Sequence, residues 1–278
     1  MSTPAPLRET ARPPFARLLK SWRETRKCSQ LDLALASRIS QRHVSFMESG
    51  RARPSRDMVL QLSEALEIPL RERNTLLTAA GFAAIYRETD LKSPAMAPVR
   101  EALQLMLDHH EPNPVSVVDR AWNVLMINRA MLRVFSLAGE PTQLWQRVCG
   151  NGPHNVLKMT FHPEGFRPYI VNFAEIAPEL LNRTRREAAA SGNEALQRLL
   201  DEILSYPGIP EEWRAPTLEL PPAPVLPLEL AKGELKLKLF SMITTFGTPQ
   251  DITTDEVRVE SFFPADAQTA ELLRKLAG

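Results

Sequence analysis

Residues 29–55 read SQLDLALASRISQRHVSFMESGRARPS, and this stretch decides the N-terminal fold. Ser29 stands where a helix N-cap belongs, and QLDLALAS follows with Leu31, Ala34 and Leu35 spaced for one helical face. A break over residues 37–39 precedes Ser40, a second N-cap candidate. QRHVSFMES comes next with Val44 and Met47 inward, and Gly50 ends it as a C-cap. Two short helices joined by a tight turn are what a helix-turn-helix needs, so that the second can lie in a major groove. Ala34 is small where the two helices would cross, and Ile39, Val44 and Met47 supply the inward face of the second. Gln41, Arg42, His43 and Ser45 leave a polar outward face, and Gln and Arg match the edges of adenine and guanine. Gln30 and Ser40 begin their helices, where backbone N–H groups and short polar side chains suit phosphate oxygens. Arg51, Arg53 and Arg56 flank the motif and are placed for phosphate contacts, which make affinity salt-dependent but not sequence-specific.

The flanks extend the pattern. Residues 15–26 carry Phe15, Leu18, Leu19 and Trp22 at helical spacing, Ser55 caps RDMVLQLSEAL, and a fifth helix runs over residues 69–80 before Gly81. Five short helices in about seventy residues make a compact all-α domain over residues 15–82, behind a Pro-containing tail at 1–14. Charge follows the same division. Residues 12–66 hold eleven Lys/Arg against five Asp/Glu, whereas residues 67–278 hold twenty-two against twenty-seven. A basic N-terminal segment on an otherwise acidic chain points to an anionic partner bound at that end. An all-helical interaction domain that binds no DNA is the alternative reading.

The length of 278 residues suits two domains, and 44% apolar with 24% charged residues is the composition of a soluble globular protein. No run approaches eighteen uncharged apolar residues, and the N-terminus has no apolar stretch for a signal peptide. Cys28 and Cys149 suit neither a disulfide framework nor a CxxC metal site. These features predict a cytoplasmic protein without a membrane segment, associated with the bacterial nucleoid through its DNA.

Beyond a linker at 83–98, a helix is predicted over 99–109, and then the periodicity changes. VSVVD and WNVLMI, separated by a tight turn at Asp119-Arg120, read as a hairpin, with Asn128 opening the next helix. Residues 129–205 are mostly helical in pattern. Seven prolines in 206–227 predict an extended connection. VLPLEL, ELKLKLFSMITTFG and EVRVESFF then alternate as strands, and DAQTAELLRKL is a closing helix. The expectation for 99–278 is therefore an α+β domain: one curved, five-stranded antiparallel sheet carrying helices on one face.

The stretch 15–81 resembles the lambda-repressor-like DNA-binding domain of the XRE family. SQLDLA matches the family's Ser-Gln start of the second helix and ESGRARPS its Glu-x-Gly-x-x-x-Pro-Ser turn. The family pairs an Arg of the first helix with the Glu ending the third, which falls here on Arg23 and Glu48 and implies a structural role for both. Arg38 departs from the pattern, where the family usually has Gly, and must tolerate a left-handed backbone. RERNTLLTAAGFAA, VSVVDRAWNVLMINRAM and ITTFGTPQDITTDEVRVESFFPAD resemble the MmyB-like regulators over nearly the whole chain. That resemblance implies a PAS-like ligand-binding domain, with a small apolar ligand such as a fatty acid. It also leaves two roles for Trp122, Asn123 and Asn128: building the second strand and capping the next helix, or touching ligand.

A PAS-like sheet leaves a cavity under its covering helices. Candidates to line it are Trp122, Leu125, Ile127, Phe135, Phe161, Phe173, Phe240, Ile243 and Phe246, each with ordinary core packing as its alternative. Arg167, Tyr169 and Arg120 are candidate partners for a carboxylate. No catalytic or metal site is read: His109-His110, His154 and His162 lack Cys or carboxylate partners at ligand spacing, and phosphate-loop and GxSxG motifs are absent. Glu234, Glu256 and Glu260 read as surface charge beside Lys236 and Arg258. The expected activity is that of a homodimeric regulator bound to a double-stranded operator. A ligand-free dimerisation or protein-interaction role for the larger domain is the alternative.

Overall fold

The capping residues read from the sequence open helices in the computed structural model, which describes residues 14–215, 225 and 227–277. The chain divides after Arg87 into two units, each with its own core. The first holds α1 (Pro14–Thr25), α2 (Gln30–Ser37), α3 (Gln41–Ser49), α4 (Arg56–Ala65) and α5 (Leu70–Ala79). Ser29 forms a capping box with Asp32, Ser40 accepts from the His43 amide, and Ser55 accepts from that of Met58. Phe15, Leu19, Trp22, Leu33, Val44, Met47, Val59, Leu62 and Leu77 form the core. The α2 face differs from the expected one. Leu33, Ala34 and Ser37 turn inward, while Leu31 and Leu35 are exposed at 50% and 71%. An eight-residue helix rich in Leu and Ala carries two apolar stripes, and packing against α3 and α4 selects between them.

Residues 83–98 are shared between the units. Asn74 Oδ1 accepts from the amides of Ile85 and Tyr86, whereas Thr89 is bound to Asp251 and Thr253. A 3-10 turn at Pro94–Met96 leads into α6 (Ala97–His109).

The second unit contains β1 (Val115–Val118) and β2 (Val124–Ile127), then α7 (Arg129–Ala138), α8 (Pro141–Cys149), α9 (Val156–Phe161), α10 (Phe173–Ser191) and α11 (Glu194–Leu204). It ends with β3 (Leu228–Lys232), β4 (Leu235–Thr245), α12 (Ile252–Glu256), β5 (Arg258–Pro264) and α13 (Ala267–Ala277). The five strands form one antiparallel sheet in the order β2-β1-β5-β4-β3. α12 interrupts the β4–β5 connection, which the sequence presented as a plain loop. Of the extended connection expected over 206–227, residues 216–224 and 226 lie outside the described residues, and Glu211–Arg214 in its described part form a 3-10 turn.

The helices do not all cover one face. The face carrying Leu230, Leu237 and Leu239 packs with residues of α7, α8, α10 and α13. On the reverse face, Leu103 and Leu107 of α6 pack on Val115, Val117 and Val259. β1 and β5 are therefore covered on both sides, which is why the run VSVV is buried at every position. Asn128 caps α7 by accepting from Met131 N, and also accepts from Val115 N, which ties β1 to the start of that helix.

Candidate functional site

The first site is the outer surface of α3. Gln41 and Arg42 are exposed, and His43 and Ser45 are partly so. Arg42 lies over the ring of Phe46, 5.2 Å from its centroid, one helical turn along. The His43 Nε2 is buried and lacks a hydrogen-bond partner among the described residues. Arg51, Arg53 and Arg56 are all exposed around the loop that follows α3, giving the motif a cationic rim. Ser40 engages its own helix through the His43 amide.

Behind this surface lies a buried ion pair. Arg23 donates from Nε to Glu48 Oε1 at 2.6 Å and from Nη2 to Oε2 at 3.1 Å, while its Nη1 holds the carbonyl of Cys28 at 2.8 Å. These bonds raise the pKa of Arg23, chiefly through Glu48. Gln30 also donates to Glu48 Oε2 at 2.8 Å, so its side chain is directed to the carboxylate that ends α3 rather than outward to phosphate. Arg26, unremarked in the sequence, holds the carbonyls of Leu66 and Glu67 at the end of α4. Arg38 takes up the left-handed backbone that its position demands, at φ 53°.

The second site is a cavity of about 670 Å³ inside the second unit, a size typical of small-molecule sites. Leu228, Leu230, Leu239 and Phe262 form part of its sheet wall. Met131, Val134 and Phe135 of α7, Leu157 and Met159 of α9, and Ile176 and Leu180 of α10 form much of its helical wall. Of the sequence candidates, Trp122, Phe135 and Phe240 line this cavity.

The other candidates lie elsewhere. Leu125 is 39% exposed on the edge strand β2, and Ile127 packs against the core beside α7. Phe161 and Phe173 meet edge to face at 5.6 Å in the cluster built on α10 and α11. Ile243 is 39% exposed, and Phe246 packs on the α6 side of the sheet. Arg167 holds the carbonyls of Pro207 and Gly208, Tyr169 lies under Lys232, and Arg120 bridges Glu256 and Asn193. Alternation along one strand separates its two faces but does not say which part of a face a helix covers, so apolar candidates scatter between cavity and core.

The polar residues of the cavity were not legible as a site. Ser116, Ser241, Glu260 and Arg183 line it together with Glu179 and Thr160. Glu260 is buried at 8% exposure, correcting its reading as surface charge: β5 is a central strand, so its polar-looking face is interior. Burial pushes the Glu260 carboxyl up from the ordinary carboxylate range, reinforced by Glu187 and opposed by Arg183 and Ser241. Arg183 stacks over Trp122, whose indole N–H donates to Glu187 at 3.0 Å. Asn123 binds Asp119 and accepts from Asn155, so it shapes the β1–β2 turn. The histidines do not converge. His110 reaches the carbonyl of Phe262, His154 stacks on Trp145 and His162 packs on Tyr206. Among the described residues, no helix is long and apolar enough to cross a membrane.

Comparison with known proteins agrees with this arrangement. A helix-turn-helix family model matches residues 19–73, and the model of the MmyB-like transcription regulator ligand binding domain matches residues 99–276. No curated protein matches the chain. One solved structure, described as an RNA-binding Light-Oxygen-Voltage receptor, is similar at 10% identity over 99% of this chain and 67% of that one. Its TM-score of 0.26 is too low to carry an argument. With more than half its length matched by one family model and a helix-turn-helix ahead of it, the chain belongs to the MmyB-like transcription regulators, DNA-binding proteins with a ligand-binding domain.

Proposed function

We propose that this protein is a sequence-specific regulator that binds a pseudo-palindromic operator as a homodimer and senses a small apolar ligand, such as a fatty acid. The observation that carries the DNA half is the solvent-facing row of Gln41 and Arg42 with three exposed arginines beside it. Gln41 and Arg42 have the length and geometry to read base edges, and Arg51, Arg53 and Arg56 supply phosphate contacts. Two copies of α3 about one helical turn apart would read matching half-sites. The ligand half rests on the apolar cavity. A ligand there alters operator affinity only by binding one arrangement of the dimer better than another.

Fluorescence anisotropy on genomic fragments selected for binding, over a salt series, tests the DNA half. Arg42→Ala is expected to lose about 1–3 kcal/mol of specific affinity. The wild-type protein is expected to show a steep salt dependence. No specific binding by the wild type at low salt would move the first unit to the interaction-domain reading. Organic extraction of purified protein tests the ligand half. Absence of any co-purified acyl chain, with operator affinity unmoved by added lipids, would favour a ligand-free dimerisation or protein-interaction module.

A further inference from the structure

The cavity has a polar pole on otherwise apolar walls, and it is built from three distant parts of the chain. Ser116 on β1 and Glu260 on β5 are direct cross-strand partners, so both side chains leave the same face of the sheet. Arg183 comes from α10 on the opposite wall, and Ser241, two residues before the β4 neighbour of Glu260, completes the group. Ser116 is fully buried, and its Oγ has no hydrogen-bond partner among the described residues. The Arg183 Nε is likewise buried and unpartnered. An unsatisfied buried donor is costly, and two around one cavity mark a place where something else supplies the acceptor.

The charge of the pole constrains what that acceptor can be. Arg258 is paired with Glu187 at 2.5 Å and Arg120 with Glu256, and among the described residues Arg183 is the cation that lines the cavity, where Glu179 and Glu260 are the carboxylates. Arg183 is positioned by Trp122, whose ring lies 4.6 Å from its guanidinium carbon. Burial favours the neutral form of the Glu260 carboxyl beside it, against the pull of Arg183 and Ser241, which weakens its repulsion of an anion. We infer that Ser116, Glu260 and Arg183 form the head-group subsite of the cavity and select an anionic, oxygen-bearing head on an acyl chain over a neutral or cationic head. This inference rests on the cavity being a ligand site, and the three sequence candidates for the carboxylate partner, Arg167, Tyr169 and Arg120, play no part in it.

The test titrates the full-length protein with hexadecanoate, hexadecanol and hexadecylamine below their aggregation limits, by isothermal titration calorimetry. Wild type is expected to bind hexadecanoate at least about tenfold tighter than hexadecanol, with hexadecylamine weakest, as loss of a charged hydrogen bond implies. Arg183→Met is expected to shrink the acid–alcohol gap to less than about threefold while leaving hexadecanol affinity within about threefold. Ser116→Ala removes a hydroxyl that has no hydrogen-bond partner among the described residues, so the variant is expected to fold. It should weaken hexadecanoate by about threefold to tenfold. Near-UV circular dichroism verifies the fold of each variant, and if Arg183→Met is misfolded, Ser116→Ala alone decides.

Equal or tighter binding of the alcohol or amine by wild type overturns the subsite, as does an acid–alcohol gap that survives in folded Arg183→Met. Unchanged hexadecanoate affinity in Ser116→Ala also overturns it. In those cases the cavity remains a site for acyl chains. Failure of all three chains to bind wild type removes the cavity reading itself.

Discussion

Replacing Arg23 by Ala tests how far the first unit depends on its buried ion pair. The carboxylate of Glu48 is 4% exposed and receives two bonds from Arg23, at 2.6 and 3.1 Å, and one from Gln30 at 2.8 Å. Truncating Arg23 removes two of these three donors and frees the Cys28 carbonyl, while a charge stays in the core. Removing one partner of a buried pair costs about 3–5 kcal/mol. The surviving Gln30 bond and the 12% exposure of Arg23 argue for the low end, about 3 kcal/mol. Hydrogen exchange read by mass spectrometry on the full chain separates the units, because peptides within 14–80 report only the first. Their most protected amides should exchange about a hundredfold faster in Arg23→Ala. Peptides within 97–277 should change less than about threefold on the same reasoning. The double variant Arg23→Met with Glu48→Leu should recover at least half of the loss, since an apolar pair removes the stranded charge. Acceleration below about threefold in Arg23→Ala would refute the argument, and so would a double variant as unstable as the sum of its single changes.

Two further substitutions probe backbone and titration. Arg38 sits at φ 53°, ψ 34° and is exposed, so Arg38→Gly should relieve about 1–2 kcal/mol of left-handed strain against about 0.5–1 kcal/mol of added backbone entropy. Thermal unfolding should show a small net gain, and a loss would mean that the Arg38 side chain supports the turn. Glu260 has its pKa raised on folding, so its contribution to stability is complete below the ordinary value of 4.5 and declines as pH rises through the folded value. Glu260→Gln should therefore match wild type near pH 4 and exceed it progressively above, by up to about 1.4 kcal/mol per pH unit within that window. Urea unfolding from pH 4 to 7 measures this, and a difference that stays constant with pH contradicts it.

What the sequence by itself determined is the set of features that live in local interactions. Ser29, Ser40 and Ser55 cap helices because a short side chain satisfies amides two or three residues ahead, whatever the rest of the chain does. The positions of β4 and β5 followed from alternation, those of β1 and β2 from two apolar runs about a tight turn, and the left-handed Arg38 from a family position usually held by Gly. The inward residues of α3 followed from its spacing, because one face of that helix is apolar and the other polar. Only the tertiary structure decided matters of covering and convergence. Leu31 and Leu35 were as apolar as Leu33, and the neighbours of α2 chose between them. Gln30 sits where a phosphate contact is usual, yet Glu48 lies within reach of its amide. Glu260 alternates in sequence like a solvent-facing residue and is buried because β5 is central, a fact set by strand order. Ser116, Arg183 and Glu260 lie far apart in the chain and come to one cavity only when α10 packs over the sheet, and no local pattern records a convergence over such separations.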